Sequence, residues 1–208
     1  MPEFPTTRHV LEPDCDRCPA LAAARERISW GTGDPDAAVF VIGEAPGYGN
    51  PEADRWRGGN WTGKAYTSRH SGRRIRDLVE AVGYGDDAYY TNAVKCVPAS
   101  DDPTTNREPA PEERRNCRGH LLAELDAVAP DVVLATGKHA TATVLEAEGE
   151  TLDGFLGTVL EPRRCDRFGA WLLPILHPSY QDVWIGRLGY EPAEYREAVG
   201  ERLAELTG

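Results

Sequence analysis

Four short apolar runs, separated by helical patterns, restrict the chain more than any other feature. They are AVFVIG (38–43), AYYTNAV (88–94), DVVLAT (131–136) and AWLLPIL (170–176), and each ends near polar or turn residues. Between and after them RRIRDLVEAVG (73–83), PEERRNCRGHLLAELDAV (111–128), GKHATATVLEA (137–147) and PAEYREAVGERLAELT (192–207) carry apolar residues at helical spacing. Strand and helix alternate, so the pattern predicts an α/β fold. The expectation is three layers, α/β/α, around a central, mostly parallel four-stranded sheet. The 208 residues suit one domain, with residues 1–12 as a flexible tail. ASDDPTTNREPAP (99–111) reads as an exposed, mobile loop.

Ligands of parallel sheets collect at the carboxyl ends of the strands. The first run ends in GEAPGYGN, placing Glu44 in a glycine-rich turn that lets backbone approach a ligand closely. The second ends at Asn92, the third at TGKHA and the fourth at His177, in LHPSYQ. Singly, such an Asn often caps a turn, and a His before Pro-Ser is often an ordinary loop residue. Together they place an acid, an amide and an imidazole on one rim, beside a long loop (51–72) rich in Gly, Arg and Trp.

The net charge of −11, from 34 acids and 23 bases, argues against a polyanionic partner if taken alone. Only Lys64, Lys95 and Lys138 among the bases are lysines, the rest being arginine. Abundant acids with few lysines suit a protein of a high-salt cytoplasm, where local charge tells more than the total. No run is long enough for a membrane span, and MPEFPTTRHV lacks the regions of a signal peptide, so a cytoplasmic protein is expected. There are five cysteines. The pair Cys15 and Cys18, in CDRCP, reads as a metal or cluster clip. With Cys96 and Cys117 it could hold zinc or an iron–sulfur cluster, and spacing alone does not choose. Cys165, in PRRCDRFG, reads as a spare residue in a turn.

GEAPG, TNAVKC and HPS, with CDRCP and Cys117, resemble the iron–sulfur uracil-DNA glycosylases over about residues 13–190. GEAPG is similar to the branch called family 4, whereas GGNWTGKAYTSRHSG (58–72) and HPSYQDVWIGRL (177–188) are similar to family 5. That second branch usually has GLAPA and an acid within TGDRSG, where this chain has Arg69. The resemblance implies a glycosylase acting on uracil-containing DNA, with Glu44 and His177 catalytic. It implies a base pocket of Gly43, Ala45, Tyr66 and Asn92. DNA contacts would come from Arg55, Arg69, Arg73, Ser179, Gln181 and Arg187. It turns the cysteine choice toward a [4Fe–4S] cluster on Cys15, Cys18, Cys96 and Cys117, in a monomer with no membrane partner. Two other readings remain: a glycosylase for deaminated purines such as hypoxanthine or xanthine, and a non-catalytic iron–sulfur DNA-binding protein.

Overall fold

The computed structural model describes Thr6, residues 8–100 and residues 106–208. Much of the expected tail and the middle of the loop 99–111 lie outside these residues. The four apolar runs form parallel strands: β2 (Val39–Gly43), β3 (Ala88–Asn92), β4 (Val132–Thr136) and β6 (Ala170–Ile175). Two short antiparallel strands, β1 (Thr32–Gly33) and β5 (Arg163–Cys165), extend the edges. The sheet therefore has six strands, in the order β1-β3-β2-β4-β6-β5, and not four. The two edge strands are too short to carry a periodic signal.

Alternate residues of each central strand serve opposite layers, as the period of two requires. Val39 and Val41 join a core with Ile75 and Val79 of α3 (Ser71–Ala81) and Val199 and Leu203 of α7 (Pro192–Leu206). Phe40 and Ile42 join a second core with Leu121 and Leu125 of α4 (Pro111–Val128) and Val144 of α5 (Lys138–Ala147). The chain leaves β2 through α3 toward β3 on one side and leaves β4 through α5 toward β6 on the other. The strand order thus reverses between β2 and β4, and their carboxyl ends open a crevice there. Pairing puts Gly43 beside Asn92 and Thr136 beside Ile175, so Glu44, Asn92, Gly137 and His177 all lie at that edge.

Three expectations change. Residues 8–12 are tied down, since the His9 amide donates to Gly31 O at 2.9 Å and Leu11 packs against a buried cluster. The described ends of the loop 99–111 are anchored too. Asn106 donates to Pro46 O at 2.9 Å and accepts from the Tyr48 amide at 3.0 Å. Cys165 sits in β5 and is fully buried at 0% exposure, while the two arginines before it are exposed. Among the described residues, no helix is long and apolar enough to cross a membrane.

Candidate active site

Gly43, Tyr66 and Asn92 meet where β2 and β3 end. A Cβ on Gly43 would lie 2.5 Å from Asn92 Oδ1 and 2.6 Å from the Tyr66 hydroxyl, so no larger residue allows this convergence. Tyr66 holds φ at +52°, a left-handed conformation that costs a residue with a side chain about 1–3 kcal/mol. Two contacts hold it there. Its hydroxyl bonds Thr136 Oγ1 at 2.6 Å, and buried Arg76 donates from Nε to its carbonyl at 2.9 Å. Arg76 also donates to Ala65 O at 3.2 Å and lies 4.0 Å from the Tyr90 ring centre. Asn92 is 4% exposed, yet its Nδ2 has no partner among the described residues. A buried donor left unpaired costs about 1–3 kcal/mol, which a ligand acceptor would remove.

Glu44 and His177 both line a cleft of ≈ 500 Å³ that also takes in Ala45, Lys138, His139, Glu108 and Tyr180. Burial raises the Glu44 pKa above the usual carboxylate range. Nearby His139 pulls it back, Glu108 raises it, and Arg114 lowers it. Burial, helped by His139, pushes His177 down to about 4. The Ser179 amide lies 3.2 Å from His177 Nδ1. An amide N–H only donates, so Nδ1 carries the lone pair and the neutral ring keeps its hydrogen on Nε2. The site therefore offers a neutral N–H donor and a partly desolvated acid.

Of the expected DNA-facing residues, Ser179 lines this cleft. Arg69 and Arg73 are exposed at the start of α3, and Arg73 pairs with Asp77 at 3.4 Å. The Arg55 guanidinium lies 5.6 Å from the Trp56 ring centre, and that of Arg187 4.5 Å from Trp184. Ser179 is exposed, and Gln181 begins α6 (Gln181–Trp184), a short turn with Tyr180 and Val183 projecting into solvent. Arg69 does not line the Glu44 cleft. Sequence reasoning passed over three other contributors. His139 pairs with Glu108 at 3.1 Å inside the cleft, and Asn106 anchors the GEAPG turn. Arg74 ties α3 to the His177 loop through Pro178 O and Asp182, each at 2.8 Å. TGKHA at a strand end was the one available signal for His139.

The family model described as the uracil DNA glycosylase superfamily matches residues 30–199, a span containing all of these groups. The chain belongs to that superfamily. A type-4 uracil-DNA glycosylase of Thermotoga maritima is 30% identical over 167 residues, covering 80% of this chain and 77% of its own. A type-5 uracil-DNA glycosylase of Pyrobaculum aerophilum is 31% identical over 208 residues, covering 86% and 84%. A type-4 enzyme of Archaeoglobus fulgidus is 28% identical over 169 residues, covering 79% and 76%. Relatives of both types accord with the mixed motifs of this superfamily member.

Its four expected cysteine ligands share one corner. Cys96 and Cys117 are buried with Leu21, Ile28, Trp30 and Val94, and Cys15 and Cys18 pack against them. Three sulfurs already receive N–H groups: Cys96 from Arg25 at 3.3 Å, Cys117 from the Lys95 amide at 3.3 Å, and Cys18 from Asn116 at 3.4 Å. Beside them, Glu12, Cys15 and His120 bring their ligand atoms within 4.8 Å of one another. Burial pushes the Cys117 thiol up to about 12, and only a bound cationic centre would hold it as thiolate. The four residues fit an iron–sulfur cluster.

Proposed function

We propose that this superfamily member removes uracil from DNA by hydrolysing the N-glycosidic bond, as a hydrolase of DNA repair. The observation that carries the proposal is the Asn92 carboxamide, buried beside Gly43 and Tyr66 with an unpaired donor. Uracil presents N3–H as a donor and O4 as an acceptor. Asn92 Oδ1 accepts the first and Nδ2 donates to the second. Cytosine reverses both atoms and leaves the amide unpaired twice, which a buried site rejects. The flipped base stacks on Tyr66, with Gly43 and Ala45 giving its backbone-side approach.

As the bond breaks, negative charge gathers on uracil O2 and positive charge on the sugar. His177 Nε2–H donates to O2, and as a neutral donor it stabilises the anion without surrendering a proton. The Glu44 carboxylate orients the attacking water and stabilises the cationic sugar. Arg55, Arg69, Arg73, Ser179, Gln181 and Arg187 hold the flanking phosphates, and the exposed side chains of Tyr180 and Val183 occupy the gap left by the base. Cys15, Cys18, Cys96 and Cys117 would hold a [4Fe–4S] cluster, which would supply a structural cross-link between the loop after β3, the second turn of α4 and the N-terminal segment. The protein acts as a single-domain, cytoplasmic monomer, and its acidic surface is adapted to high salt.

The test is release of free base from oligonucleotides that each carry one uracil, hypoxanthine, xanthine or cytosine, with enzyme in excess. Uracil release with cytosine intact supports the proposal. Release of hypoxanthine alone, or DNA binding with no release, replaces it.

A further inference from the structure

Lys95 and Glu124 form an ion pair of 2.5 Å in the interior, at 1% and 0% side-chain exposure. The pair is saturated on both sides. Lys95 Nζ donates to Thr91 Oγ1 at 2.6 Å, to the Asn92 carbonyl at 2.7 Å and to Glu124 Oε2. Glu124 Oε2 also accepts from the Thr91 hydroxyl at 2.7 Å, and Oε1 accepts the Gly31 amide at 3.1 Å. A buried ion pair is weak evidence for stability, because apolar residues of similar size often replace one at no loss. Geometry accounts for this pair. An ammonium gives three donors from one compact point, which the planar fork of arginine cannot reproduce here. In a chain with only three lysines, this one is the buried one of its segment.

The acceptors identify what is being held. Two of the three sit on Thr91 and Asn92, the last residues of β3. The third is on α4, seven residues after Cys117, so Glu124 and Cys117 project from the same face two turns apart. The backbone amide of Lys95 itself donates to Cys117 Sγ. The end of β3 is thus clamped to α4 twice, once at the cysteines and once at the ion pair. Between the clamps and the pocket stands Asn92, whose side-chain donor nothing in the described protein holds.

We propose that Lys95 and Glu124 are positioning residues for base recognition: their ion pair fixes the Asn92 backbone, and so sets the angle at which its carboxamide meets the base. This rests on the proposed excision reaction. Neither residue touches the base.

The test is a double-mutant cycle on single-turnover base release, using whichever base the parent enzyme releases from the panel. The paired variant Lys95→Met/Glu124→Gln removes both charges, while the Gln oxygen still accepts the Gly31 amide and its NH2 donates to the Thr91 hydroxyl. In the parent background it slows release about tenfold, with DNA affinity and iron content unchanged. In the Asn92→Ala background the same pair changes the residual rate less than about twofold, since nothing is left to position. An equal loss in both backgrounds, or no loss in the parent, overturns the proposal. If the paired variant does not fold, Glu124→Gln alone enters the same cycle and the same non-additivity decides. A parent enzyme that releases no uracil is read separately, against the substrate and not against the clamp.

Discussion

The imidazole of His177 takes the Ser179 amide hydrogen on Nδ1 at 3.2 Å, two residues along its own loop. That contact and burial act together, because both favour the neutral ring. His177, pushed down to about 4, therefore stays uncharged where free histidine, at 6.5, would titrate. The folded-state pKa is depressed, so the stability drawn from the neutral ring is fully present above pH 6.5 and lost as pH falls through about 4. Glu44, raised by burial, sets the acid limb of activity at a pH above the ordinary 4.5. The single-turnover rate should show that one limb, and Glu44→Gln should remove it down to about pH 4. A limb that survives Glu44→Gln unshifted would assign the titration to His177.

Tyr66 keeps its left-handed backbone because buried Arg76 holds the carbonyls of Ala65 and Tyr66. Arg76→Met removes both donors and leaves two acceptors in a dry site. The expected cost is about 2 kcal/mol. For a chain of this length that lowers Tm by about 4–8 °C. Base release should fall further than stability alone explains, because the stacking ring moves. A thermal melt unchanged from the parent refutes the contact's importance.

Protein purified without oxygen should be brown and hold about four irons per chain. Cys96→Ser should abolish the colour. Cys165→Ser should keep it, since Cys165 packs with Leu172 and Val144 in the other core, but burying a hydroxyl there should cost about 1–3 kcal/mol. A colourless protein with one zinc contradicts the cluster.

Release of base should persist, or peak, at molar salt. Phosphate contacts weaken steeply with salt in ordinary DNA-binding proteins. Here a net charge of −11 repels DNA until that field is screened. A rate that falls steadily from low salt upward removes the halophilic reading.

The central strands were legible because each is an apolar run closed by turn residues, and α4 runs over Pro111–Val128, the whole helical pattern. A proline opens it, and Glu113 caps the Ala110 amide at 2.7 Å. The rim carrying Glu44, Asn92 and His177 was legible for the same reason, since strand ends fix it. Lys95 and Glu124 were not. A lysine after a strand and a glutamate in a helix read as solvated, and only the packing of β3 on α4 shows them paired. His139, in the first turn of α5, and Glu108, on the loop before α4, were hidden in the same way. Cys165 was misread because its neighbours are charged and a three-residue strand has no pattern of its own.

Glu44 carries the sharpest prediction. Glu108, paired with His139, is a second acid in the cleft, but 75% of its side chain is exposed, whereas Glu44 is half-buried beside His177. A desolvated carboxylate interacts more strongly with a developing cation, because less water screens it. Glu44→Gln keeps size and hydrogen bonding and loses only the charge. It should slow single-turnover cleavage by about 10²–10⁴-fold with DNA affinity nearly unchanged. Arg69→Asp restores the acid usual in the family 5 loop. It should not rescue that variant, because Arg69 is exposed and stands outside the cleft lining. Rescue by Arg69→Asp would mean that the loop closes over the pocket when DNA binds. A Glu44→Gln enzyme within about threefold of the parent would leave His177 and the pocket donors to lower the barrier, with water entering unassisted.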